Sequence, residues 1–115
     1  MMQKFTTAFF LLTLLILTAC SPHSLEHNSL PGHWTGVEGT ALDIASAENG
    51  FTVTITNLDG PRSFPAAPTP AGIAFTRDGE NLTIRPGTGA DTGMKWLADK
   101  KDCVTVAPHE GYCRD

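Results

Sequence analysis

The sequence has no excess of base, little charge of either sign, few aromatics and almost no cysteine, and each shortage excludes something. Charged residues make up 17% of the 115-residue chain, and the formal net charge is -4. No run of Lys and Arg exists to neutralise successive phosphates, which argues against nucleic-acid binding. The same balance weighs against docking on anionic lipid through charge alone. Phe5 to Cys20 runs 16 residues without a charge, too short to cross about 30 Å of hydrocarbon comfortably. Beyond it no window carries the apolar periodicity of an amphipathic helix. A chain of this length holds one domain.

What is there begins with a leader. Lys4 and the terminal amine give a positive start, Ala8–Leu17 is densely apolar, and Leu17-Thr18-Ala19-Cys20-Ser21-Pro22 follows. That order reads as a secretory signal. Leu17, Thr18, Ala19 and Cys20 resemble the closing motif of the bacterial lipoprotein signal. The resemblance implies a diacylglycerol on the Cys20 sulfur, cleavage between Ala19 and Cys20, and attachment to a membrane through lipid. Two or three acyl chains hold a protein almost permanently where one does not. In the enteric sorting pattern Asp after the cysteine retains a lipoprotein in the inner membrane, so Ser21 favours the outer membrane. The expected organisation is a signal peptide at 1–19, a flexible tether at 20–31 and a small domain at 32–115. His23 and His27, four apart, read as solvated tether residues rather than metal ligands.

The domain has period two. Leu42 and Ile44 alternate with Ala41, Asp43 and Ala45. Asn49-Gly50 is a hairpin turn signal. Phe51, Val53 and Ile55 then alternate with three threonines. Leu58-Asp59-Gly60 turns the chain, and Phe64 ends a short strand. Pro65 to Gly72 reads as a loop, because three of its residues lack an N–H. Ile73–Thr76 and Asn81–Arg85 flank Asp78-Gly79. Pro86–Gly93, with three glycines, reads as another loop. Met94–Leu97 is expected to pair with Cys103–Val106, followed by a tail from Ala107. The fold class is therefore all-β: an antiparallel meander of seven or eight short strands, as a barrel or a sandwich. The expected core is Trp34, Leu42, Ile44, Phe51, Val53, Ile55, Ile73, Phe75, Leu82, Ile84, Trp96, Val104 and Val106, with Leu97 replacing Trp96 if the register slips by one.

With Cys20 committed to lipid, Cys103 and Cys113 form an even pair in an oxidising compartment and are expected to bond. A Cys103–His109–Cys113 metal site is the lesser reading, since it needs thiolates and a fourth ligand. Gly32-His33-Trp34 resembles the G-x-W that opens the first strand of lipocalin-like barrels. That resemblance implies an Arg near the chain end stacked on the Trp, a role open to Arg114.

No Ser or Cys sits in a recognisable catalytic motif with His33 or His109, and acids such as Asp43, Asp59, Asp78, Asp91 and Asp99 fall in turns or on outward faces. The reading is of a protein that is not an enzyme and carries no cofactor and no metal. Its format suits a membrane-anchored protein-binding module of inhibitor, immunity or exclusion type, with an envelope or exogenous protein as partner. A small-molecule or lipid-binding barrel and a structural envelope lipoprotein are the alternatives; a domain of roughly 85 residues is expected to fill its interior with side chains. Two loops offer candidate binding residues: Arg62 and Phe64 on a proline-stiffened segment, and His109 and Tyr112 in the loop that the cysteines enclose.

Overall fold

Where the sequence alternates, strands form. The computed structural model describes residues 27–115, and they hold eight strands: β1 (Gly32–Thr35), β2 (Ala41–Ala47), β3 (Gly50–Asn57), β4 (Gly60–Thr69), β5 (Gly72–Arg77), β6 (Glu80–Gly87), β7 (Cys103–Ala107) and β8 (Glu110–Cys113). Each pairs antiparallel with the next, and β8 returns to β1 to close a barrel. The closing contact is short, with Thr35 opposite Cys113. The fold is thus the barrel form of the expected all-β meander. Among the described residues no helix is long and apolar enough to cross a membrane.

The inward rows follow the alternation. Leu42 and Ile44, Val53 and Ile55, Ile73 and Phe75, Leu82 and Ile84, and Val104 and Val106 are all buried. Burying such a side chain stabilises by roughly 1.5–3 kcal/mol, which offsets the entropy lost in ordering the strands. Trp34 closes the base. Its indole N–H donates to Leu30 O at 2.9 Å, and the Arg114 guanidinium lies 3.7 Å from its ring centroid, the placement that the G-x-W resemblance implies.

Four expectations need correction. First, Phe64 does not end a strand: β4 runs on to Thr69 through Pro65 and Pro68. It pairs with β3 from Gly60 to Ala66 and with β5 from Ala66 to Thr69. Each proline therefore lies where the strand has a single partner and needs only every second N–H. Second, Met94–Leu97 is no strand. Lys95–Leu97 is a 3-10 turn, β7 pairs with β6 and β8 instead, and Trp96 is 81% exposed. Leu97 is buried, but in a separate cluster and not in the barrel core. Third, the tail holds β8. Fourth, residues 27–31 belong to the folded unit and not to a tether. His27 shares its Nε2 proton between Thr69 O at 2.8 Å and Gly72 O at 3.1 Å, and Leu30 is buried.

The 15-residue connection from Thr88 to Asp102 packs across the outer face of β7 and β8. It includes 3-10 turns at Ala90–Thr92 and Lys95–Leu97. Leu97, with Met94 and Val37, covers the Cys103–Cys113 disulfide. Gly111 permits this approach, since a Cβ there would meet Thr92 Cγ2 at 2.4 Å.

Candidate binding site

The alternation of an antiparallel meander sends the turns after β1, β3, β5 and β7 to one pole of the barrel. His27, the turns after β2 and β4, and the ends of the long connection lie at the other, the base. Three inward-row positions at the far pole carry polar groups. Arg77 extends the row of Ile73 and Phe75, and Glu110 lies two residues before Tyr112. The guanidinium donates to both carboxylate oxygens of Glu110, at 2.9 and 2.8 Å. Tyr112 Oη donates to Glu110 Oε2 at 3.0 Å. Arg77 and Glu110 keep 22% and 24% of their side-chain exposure. Ile55, Asn57, Val37 and Thr40 surround them in an open mouth of about 300 Å³.

These groups perturb one another. Burial pushes Glu110 up, but hydrogen bonds from Arg77 and Tyr112, with the charge of Arg77, outweigh it and hold the carboxyl below its ordinary value. Tyr112 is raised, by burial first and then by the charge and hydrogen bond of Glu110. The bond to Glu110 likewise raises Arg77. At neutral pH the mouth is a closed ion pair with a neutral phenol.

A second cleft, of about 480 Å³, opens on the outer wall between β6 and the long connection. The β6–β7 ladder registers from Gly87 to Arg85 only. Past it Asn81 and Thr83, with Arg85 at the ladder's end, share the cleft with Asp91 and His109 over a floor that reaches Leu82 and Val106. The rim is held rigidly. Asp91 accepts the Thr88 N–H at 2.8 Å, which keeps its carboxyl below the ordinary range. Thr92 is buried and donates to Gly89 O at 2.6 Å. His109, in the left-handed region at φ 63, donates from Nδ1 to Gly93 O at 3.0 Å.

The structure brings two of the expected binding residues together. Arg62 lies 5.1 Å from the Phe64 ring centroid and pairs with Asp78 at 2.7 Å. The Phe64 ring in turn sits 5.3 Å from that of Phe75, half-buried in the inward row rather than presented on a loop. His109 lines both clefts. Tyr112 is a correction: it faces Val104 across the β7–β8 ladder and is 4% exposed, so it offers no ring to a partner. The segment the cysteines enclose is a hairpin, and its parity turns the tyrosine inward. Sequence reasoning missed Arg77 and Glu110, although each continues an inward row. Cys20 and Ala19 lie outside the described residues.

The two cysteine sulfurs and the Asp115 carboxylate fall within 4.8 Å of one another, but the sulfurs are bonded to each other, and a disulfide supplies no thiolate to a metal. Comparison with protein-family models, with curated proteins and with solved structures finds no match to this chain. The geometry defines the class: a small, disulfide-stapled, closed eight-stranded antiparallel barrel.

Proposed function

We propose that the protein is a lipid-anchored module of the bacterial envelope that binds another protein on its outer wall, as inhibitor, immunity and exclusion proteins do. The observation that carries this reading is the 480 Å³ cleft beside β6. It lies on the outside, on a wall stiffened by the disulfide and by the bonds of Asp91, Thr92 and His109. Its uncharged floor with a mixed-charge rim is the composition of a specific, non-obligate protein contact. The barrel axis is occupied by the inward rows, so a carrier of apolar ligands draws less support from this architecture.

The test uses the full-length chain expressed in a bacterium with an outer membrane. Wild type, Asn81→Arg and Thr52→Arg are each captured from solubilised envelopes. Asn81 is exposed on the cleft; Thr52 is exposed on the β3 wall. A protein retained by wild type and Thr52→Arg, but lost with Asn81→Arg, supports the reading. The same proteins with all three, or none with any, refutes it. Cys20→Ala should move the protein to the soluble fraction; continued membrane retention refutes the anchor.

A further inference from the structure

We infer that the connection between β6 and β7 is a second membrane contact: Trp96 and the lysines beside it rest on anionic lipid headgroups and lean the barrel onto this flank. The inference rests on the lipid anchor proposed above.

The charge distribution is the first observation. Every lysine of the described chain, Lys95, Lys100 and Lys101, falls within seven residues, with Asp99 the single acid among them. The remaining described residues carry four arginines against ten acids. The composition that weighs against docking as a whole therefore gathers its lysines on one flank, where Asp102 and Asp115 lie beside them and Lys100 Nζ donates to Asp115 O. Lys95 and Lys101 are exposed, and long lysine stems lie along a lipid surface while their ammonium groups reach the phosphates.

Trp96 is the second. It is 81% exposed in a 3-10 turn whose next residue, Leu97, is fixed against the disulfide. The backbone is thus held with the indole outward. An indole at the headgroup level, flanked by lysines, is the side-chain set that settles at a membrane–water boundary.

The third is where the chain enters. Six residues separate Cys20 from His27, so fully extended they span at most about 25 Å. His27 is bound at the base by Thr69 and Gly72. The lysine segment ends at the same pole. The N–H groups of Lys101 and Asp102 donate to the Asp115 carboxylate, next to Arg114 on Trp34. Glu38, Asp59 and Asp78 occupy turns at the far pole, and Glu80 begins β6 beside them. Glu48, in the turn after β2, is the acid at the base on the opposite side. Asp99, Asp102 and Asp115 stand among the lysines on the β7–β8 flank, with Asp102 paired to Arg114, so the lean toward lipid there rests on exposed Trp96 with Lys95 and Lys101.

The lipidated full-length protein is reconstituted into vesicles of three parts phosphatidylethanolamine to one part phosphatidylglycerol, and tryptophan emission is read. Trp34 is fully buried, so Trp96 supplies the quenchable signal, and Trp96→Phe gives the baseline. On vesicles, acrylamide quenching of Trp96 should fall at least about twofold relative to detergent solution, and brominated lipid should quench it. Lys95→Glu with Lys101→Glu should restore acrylamide access at least about twofold. Protein that pellets with the vesicles while Trp96 stays as accessible as in detergent overturns the inference and leaves the anchor standing. The same holds if Trp96 is shielded only after a soluble envelope extract is added, which marks a protein contact instead. Protein that fails to pellet overturns the anchor and this inference with it.

Discussion

Removing the Glu110 carboxylate strands two groups at the barrel mouth. The Arg77 guanidinium loses both of its acceptors, and the Tyr112 hydroxyl loses its own. Breaking one partner of a fully buried pair costs about 3–5 kcal/mol. Here each side chain retains about a quarter of its exposure, so water recovers part of the loss and Glu110→Ala should cost about 2–3 kcal/mol. For a domain of this size that is roughly 10–20 °C in melting temperature. Arg77→Met should cost a similar amount. The double variant Arg77→Met with Glu110→Ala should cost well under the sum of the two, because neither charge is then left unpaired and only the Tyr112 hydroxyl lacks its acceptor. Thermal and urea unfolding at pH 7, followed by circular dichroism, give all four corners of the cycle. The pH dependence adds a second check. The carboxyl of Glu110 is depressed below 4.5, so its contribution is complete above that value and fades as pH falls through the depressed one. Tyr112 is raised above 10.0, so its contribution is complete below that value and is lost as pH climbs. Wild type should therefore lose stability at both extremes, and Arg77→Met should flatten the acid limb. Single variants whose costs simply add in the double, with an unchanged acid limb, would refute the coupling.

Two further outcomes test the staple and the loop it supports. Reduction, or Cys103→Ala, opens a link that encloses nine residues; the chain-entropy account assigns about 2–3 kcal/mol to so short a loop, and calorimetry should show a fall of about 10 °C or more. Gly111→Ala places a methyl against buried Thr92. It should cost about 1–3 kcal/mol by overpacking and speed amide exchange in the connection; unchanged exchange would mean that the loop does not depend on this contact.

The barrel rows were legible because period two survives wherever both neighbours are strands, as in β2, β3, β5 and β6. Reading failed where a local rule met a tertiary exception. The prolines of β4 look like ladder breakers, yet each lies where the strand has one partner. Trp96 looks like core because it is large and apolar, but a 3-10 turn has no alternation, and Leu97 takes the buried place. Tyr112 reads as a loop aromatic because the second hairpin strand is only four residues long and the turn before it, Pro108-His109, lacks the Asn-Gly or Asp-Gly signal of a tight hairpin. The mouth escaped notice because an ion pair between Arg77 and Glu110 joins residues 33 apart. The cleft beside β6 depends on where a connection folds back, which no periodicity encodes.

Arg114 Nη1 reaches Pro31 O at 3.5 Å, so the first and last strands finish side by side. A few linking residues there would let the chain be cut open at any far-pole turn with the same ladders intact, as in circular permutation. What such rewiring alters is polarity: the incoming segment would then arrive beside Glu110 instead of beneath Trp34. The order of strands decides which way up this barrel is carried, and the packing does not.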